Sequence, residues 1–407
     1  MTFDDITKLH ALSEARLSPD GQWIAYAVQS NDVTANTTDS DLWLVAADGR
    51  AAPRRLTNNP KRDRSPDWSP DGQRLAFISE RAGAPQLFLL PLGGGEAEQV
   101  TTLKGAVLSA QWSPDGTQLA VVATQPPSED EEKAVKGGDD AVTVDLNLKH
   151  TRLWIVTVAT RAAREVIARD WDVADPQWSP DGKTIAYRAY PSSRADDGHR
   201  GDIWLVDVAS GNARRFSENA GNDASPRWSP DGSALAWLAR PATGPMIAQD
   251  RLVVGLVAGG APREVIAPSF LYQPAPVTWS ADGRTLYFTT QTGTTTQVFA
   301  VPSAGGTPAV ITKFEGTLGG FFGAEGVAFT ADRSRFASVV ATTTTPFEVA
   351  VFDVATGTPR VVTSHNAVAR EWSLGRTEVV RWKSTDGLEV EGLLVYPVNY
   401  QAGTKVP

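Results

Sequence analysis

The chain has 407 residues and a formal net charge of −9, which does not suit nucleic-acid binding because phosphates require a basic surface. It contains no cysteine, which excludes disulfides, thiolate metal sites and a cysteine nucleophile. No apolar run is as long as the roughly 18 residues that a membrane-spanning helix requires. The N-terminus lacks a basic segment followed by an apolar core, so we expect a cytoplasmic protein. A periplasmic location stays open if Met1 replaces a removed leader.

The first element in chain order is a short helix. Phe3, Ile6 and Leu9 recur every three residues, which predicts a helix with one apolar face. We assign residues 1–14 to this helical segment. Its apolar face needs a partner to cover it.

The sequence WSPDG then recurs along most of the chain. Full or partial copies begin at Leu17, Trp68, Trp112, Trp178, Trp228, Trp279 and Phe329. Their spacing is about 50 residues, which suits a unit of four short strands, the length of one propeller blade. The Pro, Asp and Gly of the motif are typical of a type I turn that ends in a left-handed glycine, so we expect a strand on each side.

Each unit contains four strand patterns. The strand after the turn is apolar at consecutive positions, as in RLAFIS from Arg74, so both of its faces must be covered by neighbours. A small residue recurs four places beyond the turn glycine, which suggests close approach. These positions are Ala25, Ala76, Ala120, Ala186 and Ala236, with Tyr287 breaking the column. Seven such units predict an all-β fold, a seven-bladed β-propeller over residues 15–367.

Every unit can be completed from its own consecutive strands. No strand is left over to be exchanged between the first and last units. We therefore expect the first and last blades to meet by side-chain packing, without a shared strand.

The third unit carries an acidic insertion. It is about 16 residues longer than its neighbours, and the excess includes SEDEEKAVKGGDD from Ser128. Its carboxylates could provide negative potential for the α-amino group of a peptide substrate. They belong to Glu129, Asp130, Glu131, Glu132, Asp139 and Asp140. A solvated, mobile acidic loop is the more common meaning of such a charge run and stays open.

Residues 368–407 do not continue the repeat. EVVRW and LEVEGLLVYP have strand patterns and are joined by a hairpin signal at Thr385-Asp386-Gly387. The segment lacks the SPDG turn and the strand after it, so it is not an eighth blade.

The sequence contains no recognisable catalytic motif. There is no G-x-S-x-G elbow, no Walker loop and no dinucleotide fingerprint. The histidines lie in different units without ligand spacing, so we interpret them as ordinary surface or hydrogen-bonding residues. They are His10, His150, His199 and His365. We therefore expect no metal, no cofactor and no catalytic residue in this chain.

The whole chain resembles the prolyl oligopeptidase family of serine peptidases, in the branch of acylaminoacyl peptidases and bacterial dipeptidyl peptidases. The resemblance lies in MTFDDITKLHALSEARLSPDGQWIAYAV, in SDLWLVAADG from Ser40, in the repeated WSPDG and in STDGLEVEGLLVYP from Ser384. It implies that residues 368–407 are a linker and the first strands of an α/β-hydrolase domain, on which the helix of residues 1–14 packs. The catalytic Ser, Asp and His would then lie in the remainder of that domain, outside this sequence.

The resemblance implies that the chain is the substrate-gating propeller of a serine exopeptidase or oligopeptidase, inactive by itself. Its partners would be a C-terminal α/β-hydrolase domain and short peptides, and we expect neither nucleic acid nor a membrane. Acylaminoacyl and dipeptidyl substrates both stay open, as does a homo-oligomer. Two other classes remain: a noncatalytic TolB-like interaction scaffold, and an enzyme with its site in the propeller funnel. No repeated polar inner position supports the funnel enzyme.

Overall fold

The computed structural model describes residues 3–139, 141, 143, 146–167, 169–194, 196–242, 248–275, 277–319 and 327–404. It confirms the predicted fold, a seven-bladed β-propeller of antiparallel, mainly four-stranded blades. Within blades 1 to 6 the strands are paired in the order in which they follow along the chain.

The first four blades have the following strands. Blade 1 has β1 (Ala11–Leu17), β2 (Trp23–Asp32), β3 (Thr37–Ala46) and β4 (Arg54–Arg55). Blade 2 has β5 (Asp63–Trp68), β6 (Arg74–Ser79), β7 (Gln86–Pro91) and β8 (Glu98–Gln99). Blade 3 has β9 (Val107–Trp112), β10 (Gln118–Thr124), β11 (Thr151–Thr157) and β12 (Ala163–Glu165). Blade 4 has β13 (Asp172–Trp178), β14 (Thr184–Tyr190), β15 (Asp202–Asp207) and β16 (Ala213–Arg215).

The last three blades differ from one another mainly in the length of their innermost strand. Blade 5 has β17 (Asn222–Trp228), β18 (Ala234–Arg240), β19 (Arg251–Leu256) and β20 (Arg263–Glu264). Blade 6 has β21 (Val277–Trp279), β22 (Thr285–Thr292), β23 (Thr295–Pro302) and β24 (Ala309–Val310). Blade 7 has β25 (Thr317–Leu318), β26 (Ala328–Phe329), β27 (Arg335–Ala341), β28 (Glu348–Asp353) and β29 (Pro359–Val361). Both β25 and β26 pair with β27, so two short strands occupy the innermost position of blade 7.

The segments outside the blades are short. The helices are α1 (Phe3–Ile6) and α2 (Glu129–Lys136), with 3₁₀ turns at Asp197–His199 and Ala367–Glu371. After blade 7, β30 (Thr377–Lys383) and β31 (Glu389–Val395) form the predicted hairpin. Its turn is closed by a hydrogen bond from the Gly387 N–H to the Ser384 carbonyl at 3.0 Å.

The N-terminal helix is shorter than predicted. It ends at Ile6, and β1 begins at Ala11, before the expected propeller boundary at residue 15. The reason is that Leu12 and Ala15 are buried as part of an edge strand hydrogen-bonded to β2. Local apolar spacing could not distinguish this use of the segment from a helix.

The chain divides into two compact units. The first comprises Met1–Pro60, Phe288–Ala300 and Ala309–Pro407, and the second comprises Lys61–Tyr287 and Val301–Pro308. Blades 1 and 7 and the C-terminal hairpin belong to the first unit, and blades 2 to 5 belong to the second. Strands of blade 6 fall partly in each.

The repeated turn has the chemistry that its residues predict. In blade 2 the Ser69 hydroxyl donates to Asp71 at 2.5 Å and accepts from the Arg74 N–H at 2.9 Å, while Gly72 is left-handed with φ of +69°. The hydrogen bond from Ser69 and then the Gln73 N–H hold the pKa of Asp71 below its usual range. The turn therefore fixes the register between the two strands that it joins.

The seventh turn keeps this conformation without glycine. Arg333 occupies the glycine position with φ of +60°. The neighbouring Thr330 hydroxyl replaces the serine and donates to Asp332 at 2.6 Å. The divergent FTADR copy therefore still forms the turn, at the cost of placing an arginine in a region that favours glycine.

The tryptophan of the motif ties neighbouring blades together in the second unit. Its indole N–H donates to a carbonyl in the preceding blade, always that of the residue before the motif's first position. The donor and acceptor pairs are Trp112 and Asp67 at 3.3 Å, Trp178 and Gln111 at 3.2 Å, Trp228 and Gln177 at 3.0 Å, and Trp279 and Arg227 at 3.0 Å. We call these bonds the indole tethers.

Blades 1 and 7 meet without a shared strand, as predicted. Among the described strands, β1 pairs only with β2, and the blade 7 sheet contains only its own strands. Apolar side chains fill this contact, which we call the seam. They include Leu12, Tyr26, Val28, Val339, Val349 and Val351. Blade 1 cannot form an indole tether here, because Leu17 stands at the tryptophan position.

Removal of one indole tether should destabilise the propeller. Trp178→Phe keeps an aromatic ring but leaves the Gln111 carbonyl without its indole donor, so the free energy of unfolding should fall by about 1–3 kcal/mol. Trp23→Phe is the control, since Trp23 is 37% exposed and its replacement should change stability by less than about 0.5 kcal/mol. Urea denaturation of both variants measures the difference. Equal losses of stability in the two variants would show that the indole hydrogen bond contributes nothing beyond the packing of the aromatic ring.

Candidate functional site

Both ends of the propeller lie on the same face of the first unit. β1 begins beside the turn between β2 and β3, since Ala11 pairs with Gln29. The chain leaves blade 7 at Asn366, whose Nδ2 donates to the Phe347 carbonyl just before β28. Turns between second and third strands open on one face of a propeller, because the blades repeat the same strand directions. We call it the exit face.

Asn366 joins the two chain ends at the seam. Its Oδ1 accepts a hydrogen bond from the His10 backbone N–H at 2.8 Å, and its Nδ2 donates to the His10 carbonyl at 3.0 Å. The side-chain amide thus pairs with His10 as a neighbouring strand would. Asn366 is 2% exposed. We call this contact the Asn366 clasp. It links the two chain ends by hydrogen bonds at the seam, where blades 1 and 7 share no strand.

A buried carboxylate fixes the loop that carries the clasp. Glu348, the first residue of β28, accepts backbone hydrogen bonds from His365 at 3.1 Å and Asn366 at 2.7 Å, and another from the Thr363 hydroxyl. Hydrogen bonds to an ionised acceptor are stronger than neutral ones. Glu348 therefore holds Asn366 in position to reach the N-terminal segment.

His365 lies beside the clasp in aromatic surroundings. Its Nε2 is 2.8 Å from the Tyr26 hydroxyl, and its ring centroid is 4.8 Å from that of Trp43 and 6.1 Å from that of His10. Burial, followed by the charge of His10, lowers the pKa of His365 to about 4. Burial also raises the pKa of Tyr26, with Glu348 acting in the same direction. Near neutral pH the Tyr26 hydroxyl can therefore donate to a neutral His365.

The sequence predicted that His10 and His365 are ordinary hydrogen-bonding residues. It did not indicate that they lie close together in space. His10 and His365 stand at opposite ends of the chain, and their contact arises because blade 7 packs against blade 1. No local pattern around either residue predicts that contact. The residues of the clasp were missed for the same reason.

The C-terminal hairpin exposes apolar side chains on both of its faces. Val379 pairs with Leu393 on one face, and Trp382 pairs with Val390 on the other. Val379, Leu393 and Trp382 are 47, 48 and 50% exposed. A two-stranded hairpin is marginal in water by itself, and clustered exposed apolar surface is typical of an interaction site. The hairpin therefore presents exposed apolar surface on both of its faces.

The hairpin and the N-terminal segment share the exit face. The hairpin contacts this face at the turn between β22 and β23, where the Thr294 N–H donates to Glu391. Ile6 of α1 is 49% exposed, and Leu9 is half-buried. The side chain of Phe3 lies outside the described residues. Ile6 and the hairpin thus both leave apolar side chains exposed.

The acidic insertion of blade 3 contains a helix that was not predicted. Ser128 caps α2 by accepting from the Glu131 N–H at 3.3 Å, and the Glu131 carboxylate accepts from the Ser128 N–H at 2.5 Å. This reciprocal pair is a capping box. Its S-x-x-E signature was present in the sequence and could have identified the helix.

The six acidic residues have different environments. Glu131 Oε2 is 2.6 Å from Lys149 Nζ, and this bond followed by the Ser128 N–H lowers the pKa of Glu131 to about 2. The charge of Glu131 is therefore already paired within the insertion. Four others are exposed: Glu129, Asp130, Glu132 and Asp139. Asp140 lies outside the described residues. A role in binding a peptide amino group stays a prediction.

The other two histidines lie in the second unit. His150 Nδ1 is 3.5 Å from Asp172 Oδ2, and His199 is in a 3₁₀ turn. Among the residues that the structure describes, no three His, Asp or Glu side chains are grouped so as to hold a metal. No helix in the described part of the chain is both long enough and apolar enough to span a membrane.

Comparison with known proteins shows which proteins are similar to this propeller. The family model for the TolB beta propeller domain, PD40, matches residues 5–136. The uncharacterized peptidase YuxL of Bacillus subtilis (strain 168) is 30% identical over 205 residues, which are 46% of this chain and 31% of that protein. Dipeptidyl-peptidase 5 of Porphyromonas gingivalis is 27% identical over 206 residues, 44% of this chain and 29% of that protein.

Among solved structures, the acylaminoacyl peptidase of Pyrococcus horikoshii superposes with a TM-score of 0.74 at 18% identity, over 99% of this chain and 60% of that one. At this identity the match shows a common fold. The chain spans less than two thirds of each of these proteins. The predicted resemblance to propeller-bearing peptidases is confirmed: the chain has the propeller fold, and part of it is similar in sequence to proteins named as peptidases.

Acid should weaken the seam through His365. The folded pKa of about 4 lies below the ordinary 6.5, so the unfolded chain binds more protons between these values. The stabilisation from neutral His365 is complete above pH 6.5 and is lost as the pH falls toward 4. Urea midpoints measured between pH 7.5 and 4.5 should fall less steeply in His365→Gln than in the wild type. The exposed His199→Gln serves as control, and parallel profiles for all three proteins would contradict the prediction.

Asn366→Ala should release the N-terminal segment. The substitution leaves the two backbone groups of His10 and the Phe347 carbonyl without the clasp, so stability should fall by about 3 kcal/mol. In this variant, the amides of β1 should exchange with deuterium faster than in the wild type, and the amides of β18 should exchange at the wild-type rate. Asn212→Ala, at an exposed turn asparagine, should leave both strands unchanged. Unchanged protection of β1 in Asn366→Ala would rule out the clasp.

Proposed function

We propose that this chain is the propeller portion of a serine peptidase, and that it covers the active site of an α/β-hydrolase domain encoded after residue 407. The observation that carries the proposal is the apolar hairpin β30–β31. It contacts the turn between β22 and β23 and exposes apolar residues on both of its faces. The peptidase names of the sequence relatives support the same reading.

In this arrangement the propeller selects substrates by size. The hydrolase domain would contribute the nucleophile, its base and the oxyanion hole, while the propeller would restrict access to short peptides. Acylaminoacyl and dipeptidyl substrates are the two classes that we propose, since relatives and structural neighbours carry both names. The exposed acids of the blade 3 insertion, Glu129, Asp130 and Glu132, would favour a free α-amino group.

A noncatalytic scaffold is the second candidate function. It is favoured by the match of residues 5–136 to the TolB beta propeller domain. A scaffold of this type would present the propeller surface to a protein partner and would have no hydrolase domain attached. It does not account for a hairpin that leaves apolar side chains uncovered on both faces.

Activity should depend on the hydrolase domain. The chain has no nucleophile elbow, and loss of a complete catalytic unit lowers rates by several orders of magnitude. Residues 1–407 alone should neither cleave aminoacyl and dipeptidyl chromogenic substrates nor react with a fluorophosphonate probe. The protein extended by its downstream coding sequence should do both.

The same assay separates the two candidates. Replacement of the serine that the probe labels in the extended protein is the matched control, and it should abolish labelling and cleavage together. An extended protein that neither labels nor cleaves would favour the scaffold. Stoichiometric labelling of a serine within residues 1–407 would overturn the assignment.

A further inference from the structure

Blade 2 holds one of its own arginines between a carboxylate and two aromatic rings. Arg81 donates from Nη2 to the buried carboxylate of Asp63 at 2.6 Å. Its guanidinium carbon lies 5.4 Å from the ring centre of Phe77 and 5.0 Å from that of Phe88. A guanidinium in such a place gains both cation–π attraction and a charge-assisted hydrogen bond. Blade 2 therefore shows how this fold holds a guanidinium group.

Blade 5 has the same carboxylate and an aromatic ring at the same places. Asp223, like Asp63, stands five places before the first residue of the motif, and of the seven units only these two have an acid there. Each of the two pairs with the equivalent residue of its second strand. Trp237, like Phe77, follows the alanine of that strand. Two of the components that hold Arg81 in blade 2 are thus repeated in blade 5.

The arginine itself is missing from blade 5. Pro241 stands at the position of Arg81. Val253, which pairs with Trp237, stands at the position of the second ring. Pro241 and Val253, together with Asp223 and Trp237, line a cavity of about 680 Å³ between the last strand of blade 4 and blade 5. We call it the blade 5 cavity. Space is therefore open where blade 2 has a guanidinium and a phenyl ring.

One oxygen of the cavity carboxylate has no partner. Asp223 is 0% exposed, and its Oδ1 accepts from Asn219 Nδ2 at 3.2 Å. Its Oδ2 is buried without a hydrogen-bond partner among the residues that the structure describes. Burial raises the pKa of Asp223, as expected of a carboxylate that has no cation beside it. A buried carboxylate is stabilised by a positive partner, and this one lacks it.

The described residues that line the cavity do not supply that partner. Arg251 is paired with the Glu264 carboxylate, and Arg214 donates to the Val257 carbonyl at 3.3 Å. Residues 242–249, which follow the position of the missing arginine, include no Lys, Arg or His. The cation must therefore come from another molecule.

We propose that the blade 5 cavity binds a guanidinium group of a separate molecule, which stacks on Trp237 and pairs with Asp223. Its source is a free guanidino compound or the arginine side chain of a peptide, since both present the same group. A guanidinium is favoured over an ammonium because its planar face stacks on a ring while its N–H groups reach a carboxylate. The site does not depend on the proposed peptidase function.

Calorimetric titration of this chain tests the site. N-acetyl-L-arginine amide should bind at least about tenfold more tightly than N-acetyl-L-citrulline amide, whose side chain has nearly the same shape and no charge. Asp223→Asn should weaken binding of the arginine amide at least about tenfold. Glu218→Gln removes an exposed carboxylate that also lines the cavity, and it should weaken binding less than about threefold.

Three results of the titration would overturn the site. They are no saturable binding of the arginine amide, equal binding of the two amides, and wild-type affinity in Asp223→Asn. The same method compares L-arginine with the peptide Gly-Arg-Gly. Tighter binding of L-arginine would support the site and identify a free guanidino compound, whereas tighter binding of the peptide would support it and identify an arginine side chain.

Stability measurements in blades 2 and 5 test the comparison between them. Asp63→Asn leaves the Arg81 guanidinium without its carboxylate and should lower the Tm. Asp223→Asn removes an unpaired buried carboxylate, so the Tm should stay unchanged or rise. Pro241→Arg supplies the missing guanidinium and should abolish binding of the arginine amide. It should also raise the Tm by at least about 2 °C, but not when combined with Asp223→Asn.

Pro241→Ala is the matched control for the added arginine, because it removes the proline ring without adding a cation. It should retain binding of the arginine amide. An equal loss of Tm in Asp63→Asn and Asp223→Asn would show that Asp223 already has an internal partner, and would overturn the site. Undiminished binding of the arginine amide by Pro241→Arg would overturn it as well.

Discussion

Each blade of this protein must be covered on both faces, and the other features of the fold depend on that requirement. The second strands are buried at five consecutive positions in several blades, as in β6 and β10. Such a sheet cannot face water, so it is stable only between two similar sheets. The alanines four places beyond the turn glycine are at most 1% exposed, which is consistent with the close approach that their small size permits. The indole tethers add a directional bond to this otherwise nonspecific packing, and they help to fix how each of blades 3 to 6 is placed on the one before it.

The seam is where this regular arrangement is replaced by other contacts. Leu17 has no indole N–H, and no strand is exchanged, so apolar packing is supplemented by the Asn366 clasp and the pair of Tyr26 and His365. Polar groups that are buried and fully paired specify one geometry. The seam is also where the chain enters and leaves the propeller. A domain attached to these ends would therefore be mounted at a joint whose geometry is defined by specific polar side chains.

The propeller and its C-terminal hairpin differ in how well they are covered. The blades bury most of their apolar side chains within the fold, whereas the hairpin leaves Val379, Trp382 and Leu393 about half exposed. Two uncovered apolar faces support the proposal that this hairpin is the first part of a larger sheet. It contacts blade 6 through Glu391, whose carboxylate accepts hydrogen bonds from the Thr294 N–H and hydroxyl. Thus the same face carries the buried Asn366 clasp and the more exposed Glu391 contact.

The sequence alone determined the number of blades, the strands of each blade and the turn that joins the first two strands, because these depend on residues close together in the chain. The WSPDG repeat contains the turn chemistry, and consecutive apolar positions indicate strands covered on both sides. The sequence also indicated the short hairpin at Thr385-Asp386-Gly387. The length of the N-terminal helix was wrong, since burial against β2 overrode the local spacing, and the capping box of α2 was overlooked. Only the tertiary structure brought His10 to Asn366 and Glu391 to Thr294. Those pairs are separated by most of the chain or by whole blades, so their contact depends on how the blades pack and leaves no local pattern in the sequence.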